Sequence, residues 1–136
     1  GGDVFQGMGI HDFIKGLVSR GMEINILSCG IVASMATAIL QAATKRFSLP
    51  HTRFLVHQIS KVSFFEVEEV NKAKEGVDEL QKLNKVFLGI IAERTGVNPD
   101  ELHEKSKKFD YWLNPQEAKE LGKNGLIDEI ITTLPF

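Results

Sequence analysis

Apolar and polar positions along the chain follow two different periods, and the switches between them mark the elements. Ile10, Phe13, Ile14 and Leu17 recur at i, i+3, i+4 and i+7, the spacing of one buried helical face, and Gly21 is placed to end that helix after Arg20. Met22 to Leu27 has β character, and a small-residue helical run from Ser34 to Ala43 leaves a tight turn at Gly30. Arg46 to Leu49 predicts a short strand stopped by Pro50, and Phe54-Leu55-Val56-His57-Gln58 predicts another that ends in an imidazole. Ile59 to Phe65 is mixed and extended, a candidate edge strand. The longest periodic segment runs from about Glu66 to Arg94. Val70, Ala73, Val77, Leu80, Phe87 and Ile91 repeat there at alternating threes and fours around a polar Asn84, and Leu83, Val86 and Ile90 widen the stripe. A helix of that length reaches roughly 40 Å, so its far end is expected to project from so small a core and to meet a partner helix.

Thr95-Gly96-Val97 breaks this helix, and Asn98 caps a short one with Pro99 at its first position. Lys105 to Lys108 reads as a solvated basic cluster. Phe109-Asp110-Tyr111-Trp112-Leu113 follows, an aromatic run holding one carboxylate. Asn114-Pro115-Gln116-Glu117 has the form of a capping box, its helix ending near Gly122. Gly125 makes a turn, Leu126 to Ile131 predicts a closing strand, and Pro135-Phe136 a loose end. Strands alternating with helices predict an α/β fold with right-handed crossovers and a largely parallel sheet, whose chemistry collects at the carboxyl ends of strands.

Composition narrows this picture. The 136 residues fit one domain, 1–136. The net charge of −2, with signs interspersed, provides no basic stripe for nucleic acid and no polybasic membrane patch. Ile24 to Thr44 carries no charge and is long enough to span a bilayer, but Asn25, Ser28, Ser34, Thr37 and Gln41 interrupt it and Gly30 divides it, so a buried strand–turn–helix is expected. Cys29 is the only cysteine; without an internal disulfide a reducing, cytoplasmic setting is expected. Its apolar neighbours favour a small buried hydrophobe over a nucleophile. No metal-ligand cluster or phosphate loop is present, so neither metal nor cofactor is expected, and His11, His51 and His103 read as surface or helix residues. The sequence opens at Gly1-Gly2 without a methionine, and the N-terminal part of the natural protein is expected to be missing.

The candidate chemistry lies where strands end. Ser34 opens a helix, where backbone N–H groups lack intrahelical acceptors and suit a developing oxyanion; a serine there is also an ordinary N-cap. His57 ends its strand. Asp110, among aromatics, needs a partner if it is half-buried, and His57 or a neighbouring lysine could supply one. Ser34 as nucleophile, His57 as base and Asp110 as the group orienting the imidazole would form a hydrolytic triad, with backbone N–H groups of Gly2 and Met35 as the oxyanion hole. Spacing alone does not bring these atoms together.

Four motifs, in order, resemble the proteolytic subunit of the Clp protease family. Gly1-Gly2 resembles the end of its Ser-Pro-Gly-Gly loop. Gly30-Ile31-Val32-Ala33-Ser34-Met35-Ala36 resembles its nucleophile motif, and Leu55-Val56-His57-Gln58 its His-Gln-Pro motif. Asp110 to Leu113, with Glu117-Ala118 and Gly125-Leu126-Ile127-Asp128, resembles its acidic segment and closing stretch. The resemblance implies a crotonase-like α/β fold with a ββα spiral core, the Glu66–Arg94 helix being the projecting handle. It also implies homo-oligomeric seven-membered rings stacked as a tetradecamer, polypeptide substrates, and a separate AAA+ unfoldase partner.

Departures from the motifs are specific. Ile59 stands where the family has proline, Val32 replaces a smaller residue near the nucleophile, and Ile59 to Phe65 lacks the glycine-rich character of the substrate-binding strand. They suit a divergent or phage-encoded relative, including a head-maturation type of protease. A catalytically silent ring subunit and, on the same fold, an acyl-CoA enzyme are the competing readings.

Overall fold

The computed structural model describes residues 1–59 and 70–134, with residues 70–73 and 108 by their backbone alone. Asp3 starts the first helix, α1 (Val4–Ser19), its carboxylate accepting from the Gln6 N–H at 2.9 Å. Strands β1 (Asn25–Ser28) and β2 (Ile31–Ala33) follow, then helix α2 (Met35–Leu40) and strands β3 (Lys45–Ser48) and β4 (Arg53–Val56). The 26-residue α3 (Val70–Thr95) comes next, then α4 (Pro99–Lys108), β5 (Tyr111–Leu113), α5 (Pro115–Lys119) and β6 (Glu129–Ile130).

The strands form two three-stranded sheets in place of the single parallel sheet that strand alternation predicts: β1-β3-β6, all parallel, and β2-β4-β5, in which β4 and β5 run antiparallel. The division comes from β2. Gly30, at φ 69°, turns the chain between two short strands, so the residues just before Ser34 are extended rather than already helical. The closing strand is also shorter than its apolar pattern implies, because Leu126 and Ile127 enter the core as loop residues and only Glu129 and Ile130 pair with β3.

Between the sheets and helices lies one core. Phe54 and Val56 of β4, Leu113 of β5, Met35, Ala38 and Leu40 of α2, Phe87 and Ile91 of α3, and Leu102 of α4 are all buried together. Each large side chain removed from water contributes about 1.5–3 kcal/mol, so the short strands are held mainly by this cluster. The C-terminal half of α3 belongs to it, whereas farther toward its N-terminus Val77 is exposed, as expected for a helix outrunning its domain. The parts of the Glu66–Arg94 and Ile59–Phe65 predictions that fall on residues 60–69 lie outside the described residues, as does Pro135-Phe136.

α1 is rotated from the face its spacing predicts, which turns inward only in part. Ile14 and Leu17 are half-buried but Ile10 and Phe13 are exposed, and the buried residue is Gly7. A Cβ on Gly7 would lie 2.9–3.1 Å from Met35 side-chain atoms. The missing side chain lets α1 settle directly on α2, and that close approach sets which face points in. Cys29, read as buried, is exposed in the turn between β1 and β2.

Candidate active site

Two ladders converge on one end of the second sheet. β2 runs parallel to β4 with Ala33 beside Leu55, and β5 runs antiparallel with Tyr111 opposite Val56. Continued by one residue, the second ladder sets Asp110 across from His57. The first continues through the Ser34 N–H, which donates to the Leu55 carbonyl at 2.9 Å. Ser34 at the end of β2, His57 at the end of β4 and Asp110 at the start of β5 are therefore neighbours along one sheet edge, although 76 positions separate the first from the last (110 − 34).

Ser34 has φ 57° and ψ −130°, the only non-glycine residue at positive φ among the described residues. Such backbone costs an L-residue on the order of 1–3 kcal/mol and persists only where its surroundings enforce it. Here Ser34 is fixed by the Leu55 bond behind it and by α2 ahead, whose Thr37 N–H and hydroxyl both donate to the Ser34 carbonyl, at 2.9 and 2.6 Å. Its own hydroxyl makes no cap bond to α2. The ordinary N-cap reading therefore fails: the half-buried serine sits on a sharp strand-to-helix turn with its Oγ uncommitted to the helix.

Gly1 packs against this turn. A Cβ there would lie 2.9 Å from the Ala33 carbonyl oxygen and 3.0 Å from Ser34 Cβ, so only glycine allows the segment before α1 so near the serine. At Gly2 the space is open. Met35, the first residue of α2, is buried under Gly7.

The three side chains are not hydrogen-bonded to one another. No bond joins Ser34 to His57 or His57 to Asp110 in this structure. Instead, His57 Nδ1 lies 2.7 Å from the Gln58 carbonyl oxygen. A carbonyl only accepts, so Nδ1 carries the proton and, in the neutral ring, Nε2 keeps its lone pair. Asp110 is exposed rather than half-buried, because β5 is an edge strand of three residues with Phe109 and Trp112 also facing outward.

Sequence reasoning missed two contributors, Gly7 and Asn84. The only signal for the first was its lack of a side chain. The second was visible as the polar break in the apolar stripe, and its Oδ1 accepts from the Ile59 N–H at 3.1 Å. Among the described residues no cluster of His, Cys, Asp and Glu could hold a metal, and no helix is long and apolar enough to cross a membrane.

The family model for Clp protease matches residues 1–134. A curated relative, the ATP-dependent Clp protease proteolytic subunit of Bacteroides fragilis, is 35% identical over 96% of this chain and 59% of its own length. Proteolytic subunit 2 of Thermobifida fusca is 35% identical over 99% of this chain and 63% of its own, and subunit 3 of Rhizobium etli 36% identical over 98% and 64%. The chain thus spans about three fifths of the curated relatives it matches. A solved structure of a ClpP1 mutant from Listeria monocytogenes superposes with a TM-score of 0.82 at 31% identity, over 98% of this chain and 69% of that one. The crotonase-like ClpP fold with a long handle helix, implied by four short motifs, is the fold observed, and the chain belongs to the Clp protease family.

Proposed function

We propose that this chain is a serine endopeptidase subunit that hydrolyses peptide bonds of unfolded polypeptides. The observation that carries the reading is Ser34: a serine held at φ 57° on a strand-to-helix turn, its hydroxyl not used for capping, beside a histidine whose Nε2 keeps its lone pair. Ser34 Oγ attacks the scissile carbonyl while His57 Nε2 takes its proton. The imidazolium then protonates the leaving amine, and water repeats the sequence on the acyl-enzyme. The Gly2 and Met35 N–H groups receive the oxyanion; each such donor typically contributes roughly 3 kcal/mol to the transition state. Asp110, one register step from His57, stabilises the imidazolium through its negative charge.

The wider reading follows the family. Subunits assemble into heptameric rings stacked as a tetradecamer, the projecting half of α3 reaches the opposing ring, and an AAA+ unfoldase feeds the chamber. A silent ring subunit is the one alternative with an observation behind it, the missing Ser34–His57 and His57–Asp110 bonds. A fluorophosphonate probe on the assembled protein separates the two. Ser34 is expected to be labelled and Ser34→Ala not, with peptidase activity falling by about four orders of magnitude or more. An assembled ring that never labels would identify the silent subunit, and native mass spectrometry of the same sample reads its stoichiometry.

A further inference from the structure

One peptide group links the histidine to the long helix. The carbonyl of Gln58 accepts from His57 Nδ1 at 2.7 Å, and the N–H on the same peptide plane, that of Ile59, donates to Asn84 Oδ1 at 3.1 Å. A planar amide has its C=O and N–H antiparallel, so anchoring the N–H fixes the direction of the carbonyl. Asn84 is a costly residue for its place. It interrupts the apolar stripe of α3 where Leu80, Phe87 and Ile91 flank it at helical spacing, and it is 8% exposed. A buried carboxamide there requires a partner, and the Ile59 N–H supplies one that a proline at that position would lack.

We propose that Asn84 is a positioning residue for His57: through the Gln58–Ile59 peptide it aims a carbonyl at Nδ1, and so holds the imidazole in the tautomer that leaves Nε2 free to act as base. This rests on the peptidase reading of Ser34 and His57. It assigns to a backbone carbonyl the orienting task that triads usually give to a carboxylate, and it ties that task to the handle helix.

The test compares wild type with Asn84→Leu, Asn84→Asp, Ile59→Pro and the Leu/Pro double variant, measuring thermal stability, the rate of fluorophosphonate labelling of Ser34, and amide exchange at Ile59. Asn84→Leu completes the apolar stripe but removes the acceptor. A merely structural asparagine predicts a loss of stability with unchanged labelling; positioning predicts labelling about tenfold slower, the worth of one hydrogen bond, at temperatures where the variant is fully folded. With a peptide substrate the loss falls on kcat and leaves KM unchanged. Asn84→Asp keeps the acceptor and is expected to label within about twofold of wild type. Ile59→Pro removes the donor, so it slows labelling alone but adds nothing to Asn84→Leu; it also probes the same bond if the leucine variant does not fold. Wild-type labelling rates in Asn84→Leu and Ile59→Pro would overturn the proposal. If wild type itself fails to label, the peptidase reading falls and Ile59 exchange decides this one. Protection in wild type that is lost in Asn84→Leu supports the link, and equal exchange in both overturns it.

Discussion

The ends of the two sheets are built on opposite principles. In the first sheet Arg46 of β3 is 1% exposed, and each of its five guanidinium N–H groups has an acceptor. Nε donates to Asp128 Oδ2 at 3.1 Å, Nη1 to Gln41 Oε1 and the Gly125 carbonyl at 2.6 and 2.8 Å, and Nη2 to the Asn124 carbonyl at 3.0 Å and to Asp128 Oδ1. The Arg46 backbone N–H also reaches Asp128, at 2.7 Å. Nothing is left over, so the cluster is a staple joining β3 to the turn before β6. At the end of the second sheet, Ser34 keeps its hydroxyl out of the cap it could make, His57 spends one nitrogen, Asp110 faces solvent and the backbone is strained. A region whose polar groups are all paired has nothing left to react with. Polar groups left free and held by strain are what chemistry requires, and functional sites are where local rules are expected to break.

Arg46→Ala is the strongest way to test that contrast. It strands Asp128, two carbonyls and Gln41, and is expected to cost about 3–5 kcal/mol in urea unfolding. Below the shifted transition, the rate of Ser34 labelling should stay at its wild-type value. A loss below about 1 kcal/mol would show that the cluster is no staple. Gly7→Val comes next, since its Cβ must displace Met35; a destabilisation of about 2 kcal/mol is expected, with slowed labelling because Met35 adjoins Ser34. Gly9 of the same helix meets no atom within 4 Å, so Gly9→Ala should stabilise by up to about 1 kcal/mol. The same sign for both glycines would mean that close packing is not what distinguishes them. The smallest effect is acid sensitivity. Partial burial pushes the Asp128 carboxyl up, but hydrogen bonds and charge from Arg46 outweigh it and hold the group below its ordinary value. Its stabilising contribution is therefore complete above the unfolded carboxylate value of about 3.9 and is lost as pH falls through the lower folded one. Asp128→Asn should flatten that part of the stability–pH curve, and an unchanged slope would remove Asp128 as its source.

Much of this was legible because it was local. Asn98-Pro99 and Asn114-Pro115-Gln116-Glu117 cap α4 and α5 as their patterns predict, the latter with both halves of the capping box formed. β3 and β4 fall where Arg46–Leu49 and Phe54–Gln58 place them, within a residue or two. The motifs around Ser34 and His57 identified the family. What escaped depends on tertiary approach. The inward face of α1 was set by the absence of a side chain at Gly7, which hydrophobic periodicity cannot score. β2 is only three residues long, and its β character comes from pairing with β4 rather than from pattern. The burial of Arg46 left no trace in the pattern around it, because burial of an arginine is decided by five acceptor atoms brought from elsewhere in the chain. The strain at Ser34 left no mark in composition, since its neighbours would suit an ordinary helix start.

That strain has a consequence for what could stand in its place. Glycine is at ease where Ser34 sits, so a chain selected for folding alone would drift toward it and gain stability while losing its hydroxyl. Whatever preserves serine at this corner acts against the chain's own thermodynamic preference, and its strength can be gauged by how much more stable Ser34→Gly is than Ser34→Ala.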